Sequence, residues 1–265
     1  MNLRFTLEPT TLDAIGDLRE QHLDGLPEAI DALVEILVRS ARPHRIRARG
    51  ETIGYVVVDD RRRMLELHVR QDHEVYAHDL FPQILERLDV GSALVQTFDA
   101  LFLACALDEQ ASVSMRGALT RHYFPRALPS IDRIRYDERP AELRDVPQIL
   151  ATDQDVFIDE GRLRGAVERN EVVVFEHDEA LVGFGLMRIL HPDRPHVEVG
   201  IAVDAPFRNK GYAIYMLRDM VEHCVARGLE PICGLSRDNE ASIRMGSRIG
   251  LVSRYRLIEL HFGDA

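Results

Sequence analysis

The feature that most restricts this chain is a succession of segments that it writes twice. In the second half, Val172–Glu176 is β-branched and apolar, Leu181–Ile189 follows a His-Asp-Glu turn, and Val197–Val203 alternates. Along that third run Val197, Val199, Ile201 and Val203 point one way, and Glu198, Gly200 and Ala202 the other, as a strand requires. In the first half Ile53–Val58 precedes Met64–Val69; Gly54 aligns with Gly183, and Leu65-Glu66-Leu67 with Val197-Glu198-Val199. A helical pattern follows in each half, at His78–Leu88 and at residues 212–226, where Ala213, Ile214, Leu217, Met220, Val221, Cys224 and Val225 share a broad apolar face and Gly228 supplies a stop. Another strand comes next (Ala93–Phe98, Ile232–Ser236), then a helix opened by Asp99 or Asp238, then closing strands within Ser114–Phe124 and Leu251–Phe262. Each half therefore predicts an α/β (α+β) unit: a mixed sheet flanked by helices.

Length agrees. At about 150 residues per domain, 265 residues predict two domains. The turn-forming segment Arg126–Asp132 is the natural linker, giving domains 1–125 and 133–265. The net charge of −11 argues against nucleic acid or anionic lipid as the main partner, since both require a basic footprint. No apolar run approaches the ~18–20 residues of a membrane span, and the N-terminus lacks the apolar region of a signal peptide. Three scattered cysteines, Cys105, Cys224 and Cys233, fit a reducing compartment, so a cytoplasmic protein is expected. Without clustered Cys or His, no metal is expected.

The halves differ at one place. Leu65 to Ala93 spans 28 residues where Val197 to Ile232 spans 35. The extra residues hold the turn Asp204-Ala205-Pro206-Phe207-Arg208-Asn209-Lys210-Gly211-Tyr212-Ala213, set between a strand and an amphipathic helix. Glycine at 211 and a small residue at 213 let backbone approach a ligand. The free N–H groups of the helix's first turn, with the positive end of its dipole, suit a pyrophosphate. Arg208 and Lys210, the chain's only lysine, add positive charge. The string is neither a P-loop nor a dinucleotide fingerprint. By itself it is also compatible with plain turn chemistry.

A second element follows the next strand: Asn239-Glu240-Ala241-Ser242 opens a short helix that closes on Arg248-Ile249-Gly250-Leu251. Residues 203–213 and 239–251 together resemble the two cofactor motifs of the GNAT superfamily of N-acyltransferases: an Arg/Gln-x-x-Gly-x-Gly/Ala turn, then Asn-x-x-Ala/Ser with a later Tyr and Gly-Phe. The resemblance covers the second half. It implies acetyl-CoA as co-substrate, held by Arg208, Asn209, Lys210, Gly211, Tyr212 and Ala213, with its pantetheine arm along Ile201 and Val203 and a contact from Asn239. It further implies direct attack by an amine, with a strand glutamate as base, so Glu198 is the candidate catalytic residue. A solvated strand carboxylate is the plainer reading, and Glu66 at the aligned place in the first half favours it. Gly246 stands where the family carries its acidic tyrosine; Tyr255, read on a strand, and Tyr215, read on a helix, are other phenols in the chain, and neither is assigned the role. This departure keeps a non-catalytic acyl-CoA sensor open as the alternative.

The first half resembles a second, degenerate GNAT-like domain. Its turn reads Arg70-Gln71-Asp72-His73-Glu74-Val75-Tyr76, without glycine and with two carboxylates, so no cofactor is expected there. The acceptor expected is a small-molecule or peptide amine. Asp153, Asp155, Asp159 and Glu160 beside Phe157 could form an acidic mouth for it, or a solvated helix face. A homodimer is also compatible with this architecture.

Overall fold

The computed structural model describes residues 3–129, 135–152 and 159–263. The chain divides into two compact units. Unit 1 takes Met1–Leu119, Ser236–Asp238 and Arg254–Ala265; unit 2 takes Thr120–Leu235 and Asn239–Ser253.

Elements run in the order β1 (Phe5–Pro9), α1 (Gly16–Gly25), α2 (Ala32–Arg39), β2 (Arg42–Ala48), β3 (Glu51–Val58), β4 (Arg63–Val69), α3 (Ala77–Leu88), β5 (Ser92–Gln96), α4 (Ala100–Asp108), β6 (Ser112–Thr120) and β7 (His122–Tyr123). They continue with β8 (Asp137–Pro140), α5 (Val146–Thr152), α6 (Glu160–Glu168), β9 (Val172–His177), β10 (Ala180–Ile189), β11 (His196–Val203), α7 (Tyr212–Ala226), β12 (Glu230–Ser236), α8 (Glu240–Ile249), β13 (Leu251–Val252) and β14 (Tyr255–His261). In unit 1 the strand order is β1-β2-β3-β4-β5-β14-β6, antiparallel except for β4 against β5. Unit 2 orders β12-β11-β10-β9-β8, with β11 and β12 parallel, and adds the pair β7-β13. Both are mixed sheets, as read from the repeat, and both are mostly antiparallel, as in the GNAT-like fold that the resemblance implies.

Each sheet is covered on both faces. In unit 1, Ala77, Leu80, Phe81 and Ile84 of α3 recur at helical spacing and pack on one face, while Val34 and Val38 of α2 join Tyr55, Val57 and Leu65 on the other. In unit 2, α5 and α6 pack on Val172, Val174 and Leu186, and α7 packs on Val197 and Val199. Within α7, Met216 is buried, whereas Val225, read as part of the apolar face, is 47% exposed. The helix after β12 is capped by Asn239, not Asp238, while Asp99 caps α4 as expected.

The closing strands do not stay with their own halves. β14 lies in unit 1, paired with β5 and β6, and residues 120–124 lie in unit 2. There Leu251 and Val252 pair with Tyr123 and His122, and Thr120 Oγ1 donates to the Cys233 carbonyl at 3.0 Å. The run Leu251–Phe262 is thus split between two sheets. Hydrophobic alternation specifies that a strand forms, but many neighbours satisfy the same alternation.

Strand register also corrects the alignment of the halves. Gly54 sits opposite Val69, and Gly183 opposite Val203. A Cβ at either glycine would meet backbone, at 2.1 Å from the His68 carbonyl and 2.3 Å from the Ala202 carbonyl. The last parallel pairs are Met64↔Ala93 and Glu198↔Ile232. These anchors place Met64, not Glu66, opposite Glu198 in the repeat; Glu66 corresponds to Gly200. Counting from apolar runs alone allows this two-residue slip, because a strand repeats every second residue.

Glu66 belongs to a buried polar network in unit 1. The Arg19 guanidinium lies 2.5 Å from Glu35 and 2.7 Å from Glu66. Tyr55 Oη donates to Glu66 at 3.1 Å and contacts His22 Nδ1 at 2.8 Å, and His22 Nε2 meets Asp99 at 3.1 Å. His68 stacks on His22 at 5.3 Å between centroids. Burial first, then the neighbouring His22, pushes the His68 imidazole down to about 4. The unfolded chain therefore binds the proton first on acidification. Unit 1 is expected to lose stability as pH falls from about 6.5 toward 4. Denaturant midpoints across that window should show it, and His68→Asn should flatten the slope; an unchanged slope would contradict it.

Candidate functional site

β11 and β12 are bridged at His196↔Glu230, Val197↔Pro231 and Glu198↔Ile232. Beyond this point the two strands part, leaving five residues of β11, about 16 Å, without a parallel neighbour. α7 begins at the open end. Gly183 and Gly185 of β10 let it come close, since a Cβ at 185 would lie 2.2 Å from Met220 Sδ and one at 183 would lie 2.9 Å from Met216 Cε.

The chain reaches α7 through a short 3-10 turn, Ala205–Phe207, whose N-cap Asp204 accepts from Ala205 N at 2.9 Å. Thr152 donates to the same carboxylate oxygen at 3.2 Å. Asn209 (φ 60°) and Gly211 (φ 96°) then take left-handed conformations. Asparagine tolerates this region and glycine enters it freely, which is why these residue types stand here. No side chain caps the start of α7, whose first N–H groups lack intrahelical partners.

A cleft of about 650 Å³ opens at this point, within the usual size of small-ligand sites. Eight of the nine residues expected to bind cofactor line it: Ile201, Val203, Arg208, Asn209, Gly211, Tyr212, Ala213 and Asn239. Lys210 does not; its Nζ lies over the Phe207 ring, 5.8 Å from the centroid. Arg208 is partly committed, donating from Nε to the Val203 carbonyl at 2.8 Å. Asn239 caps α8 through Oδ1, which accepts from Ser242 N at 3.0 Å.

Beyond its cap Asn239, the α8 side of the cleft escaped sequence reasoning. Ala241, Arg244, Met245 and Arg248 line it, at spacings that share one helix face. That periodicity was available once a ligand face was assigned to the helix. The two arginines join Arg208, so three guanidinium side chains line one cleft.

These features fit the family whose motifs the sequence carries. Residues 11–123 match the acetyltransferase (GNAT) domain, and residues 130–250 match the acetyltransferase (GNAT) family. The chain belongs to the GNAT superfamily of acetyltransferases. Its fold is similar to that of a GNAT-family acetyltransferase from Colwellia psychrerythraea, at TM-score 0.84 and 18% identity over 98% of this chain and 100% of that one. It is also similar to a tandem GNAT protein from the clavulanic acid biosynthesis pathway, at TM-score 0.58 and 12% identity over 99% and 100% of the two chains. No curated protein matches the sequence.

Glu198 does not line the cleft; it stands at the apex of the splay, its side chain on the face opposite Val197 and Val199. Its cross-strand partner Arg188 brings Nη1 to 3.3 Å from Oε2, with both side chains about four-fifths buried. Gly246 is buried, with Leu251 in ordinary contact range of a Cβ there. Tyr215 donates to the Pro129 carbonyl, and Tyr255 packs edge-on against Phe98 in unit 1. Neither phenol reaches the cleft. Asp159 caps α6 and Glu160 pairs with Arg164, which is the solvated helix face; Asp153, Asp155 and Phe157 lie outside the described residues.

In unit 1 the corresponding turn is a 3-10 segment, Gln71–Tyr76, that runs directly into α3, with Ala77 N bonded to the Glu74 carbonyl. No residue there takes a left-handed conformation, and Asp72 and Glu74 occupy the approach. Among the described residues no cluster of His, Cys, Asp and Glu could hold a metal ion, and no helix is long and apolar enough to cross a membrane.

Proposed function

We propose that unit 2 binds acetyl-CoA and transfers its acetyl group to a primary amine by direct attack. The parting of β11 from β12 beside a helix N-terminus that no side chain caps carries this reading. The residues present suit the group: α7 offers amides and a positive dipole end to a pyrophosphate, and β11 offers unpaired backbone to an extended amide-bearing arm. A β11 N–H polarises the thioester carbonyl. The amine nitrogen bonds to the carbonyl carbon, the carbon–sulfur bond breaks, and the amine's proton leaves to base. Glu198, at the apex of the splay, is that base. Gly246 brings no phenol, so the departing thiolate, a weak base, takes its proton from water.

The acceptor is a small-molecule or peptide amine. A chain of net charge −11 with three free cysteines suits a cytoplasmic enzyme acting on such cations rather than on nucleic acid or a membrane. Self-association as a homodimer is compatible with this reading.

The paired substitution Arg208→Glu/Lys210→Glu should weaken acetyl-CoA binding at least tenfold by calorimetry. Affinity within twofold of the parent would remove the pyrophosphate from this turn. Glu198→Gln should lower kcat and flatten the acidic limb of its pH profile while leaving cofactor affinity unchanged. Tight binding without turnover on any amine would favour the acyl-CoA sensor, which the glycine at 246 makes the specific rival.

A further inference from the structure

We infer that unit 1 carries a separate binding site for a small, multiply charged anion, in an arginine-lined cleft between β1, the β2–β3 hairpin and α3. The cleft measures about 820 Å³. Arg4, Arg47, Arg49 and Arg87 line it against a single carboxylate, Glu8. This is a local excess of positive charge on a chain whose net charge is −11.

The four arginines are not equivalent. Arg87 is held in place: its guanidinium lies 4.1 Å over the Phe5 ring and donates to the Phe5 carbonyl at 2.9 Å and to Gln83 at 3.2 Å. It stands in the last turn of α3, where its charge offsets the negative end of the helix dipole. Arg47 donates to the Gly50 carbonyl at 2.8 Å and reaches Glu8 at 3.4 Å, using up the one carboxylate. Arg4 and Arg49 have no ion pair among the described residues. Arg49 sits in the hairpin turn at φ 52°, a conformation that favours Asn, Asp or Gly. The turn carries a guanidinium there instead, projected at the cleft mouth.

Planar guanidinium forks recognise paired anionic oxygens, as in phosphates and polycarboxylates. The floor is apolar: Leu3, Phe5 and Ala48 are buried beneath the arginines. Concavity of this size with an apolar base suits a small metabolite bearing phosphate or carboxylate groups, rather than a polyanionic surface. The site lies in the unit without the glycine turn, on residues that play no part in the proposed chemistry.

The test uses the full chain carrying Arg208→Glu/Lys210→Glu/Arg244→Glu/Arg248→Glu, which reverses the charges lining the unit 2 cleft, and only binding that is lost on substitution of Arg4 and Arg49 counts for the unit 1 site, so that its failure is distinguishable from failure of the proposed function. Calorimetric titration at low ionic strength takes inorganic pyrophosphate in one arm and citrate in the other. One saturable equivalent is expected in at least one arm; which arm binds distinguishes a phosphate from a polycarboxylate ligand. Adding Arg4→Glu/Arg49→Glu should weaken binding at least tenfold. The control Arg61→Glu/Arg254→Glu, with the same net charge on exposed positions, should change it less than twofold. Should the double reversal unfold the protein, Arg4→Gln/Arg49→Asn, which suits the turn, should still weaken binding at least threefold. Absence of saturable binding in both arms, or equal losses in the reversal and the control, would overturn the site.

Discussion

Removal of residues 254–265 is expected to unfold unit 1, although that unit is built mainly from the other end of the chain. β14 is not an edge strand: it pairs with β5 from Leu257↔Gln96 to His261↔Ser92 and with β6 from Tyr255↔Leu119 to His261↔Ser112. Its loss leaves two strands with unpaired ladders in the middle of a sheet. Each lost backbone hydrogen bond contributes about 1 kcal/mol net, and exposed partners cost more when they remain buried. Leu257 and Leu260, 5% and 0% exposed, are lost from two different cores, at about 2 kcal/mol each. Together these losses are comparable to the ~5–15 kcal/mol that holds a domain together. Hydrogen exchange should show loss of protection in β4 and β5. Retained protection there would mean that unit 1 closes its sheet without β14.

Gly250→Ala should be the most damaging single methyl in unit 2, by more than about 4 kcal/mol. Two effects combine. Gly250 ends α8 at φ 106°, a conformation in which an L-residue is strained. A Cβ there would also lie 1.8 Å from the Phe124 carbonyl oxygen, which is backbone and cannot rotate away. Phe124 N donates to the Gly250 carbonyl at 2.8 Å, and Leu251 begins the pairing with β7, so relief of the clash pulls that pairing apart. Because α8 lines the cleft, cofactor affinity should fall together with the melting temperature. A midpoint shift under 1 kcal/mol would contradict the geometry. Gly246→Ala, on the same helix, meets nothing closer than 3.7 Å and is the appropriate contrast.

The sequence announced what depends on local periodicity and on residues with special backbone freedom. Gly211, Gly250 and the alternation of Val197–Val203 each mark a local geometry, and the turn and both helix boundaries follow from them. Asn239 was legible as the cap of α8, which places it at the cleft. What depends on partner choice was not legible. The exchange of β14 and residues 120–124 leaves no trace in either strand's own pattern. Glu198 was legible as a strand carboxylate, but its pairing with Arg188 is set by β10 register. Lys210 drew attention as a cation beside a glycine, yet its direction depends on the Phe207 ring, which no spacing rule encodes. Arg244 and Arg248 were visible as charges on a helix, and only the tertiary structure shows that their face lines the cleft.

One fold is used twice in this chain, and in the proposed function only the second copy binds cofactor, a difference that calorimetric titration of the full chain with acetyl-CoA reads out. One equivalent per chain is predicted, abolished by Gly211→Val, which forces a β-branched residue to φ 96°, and unaffected by substitution of Asp72 or Glu74 in the unit 1 turn. Two equivalents, or one that survives Gly211→Val, would contradict the account.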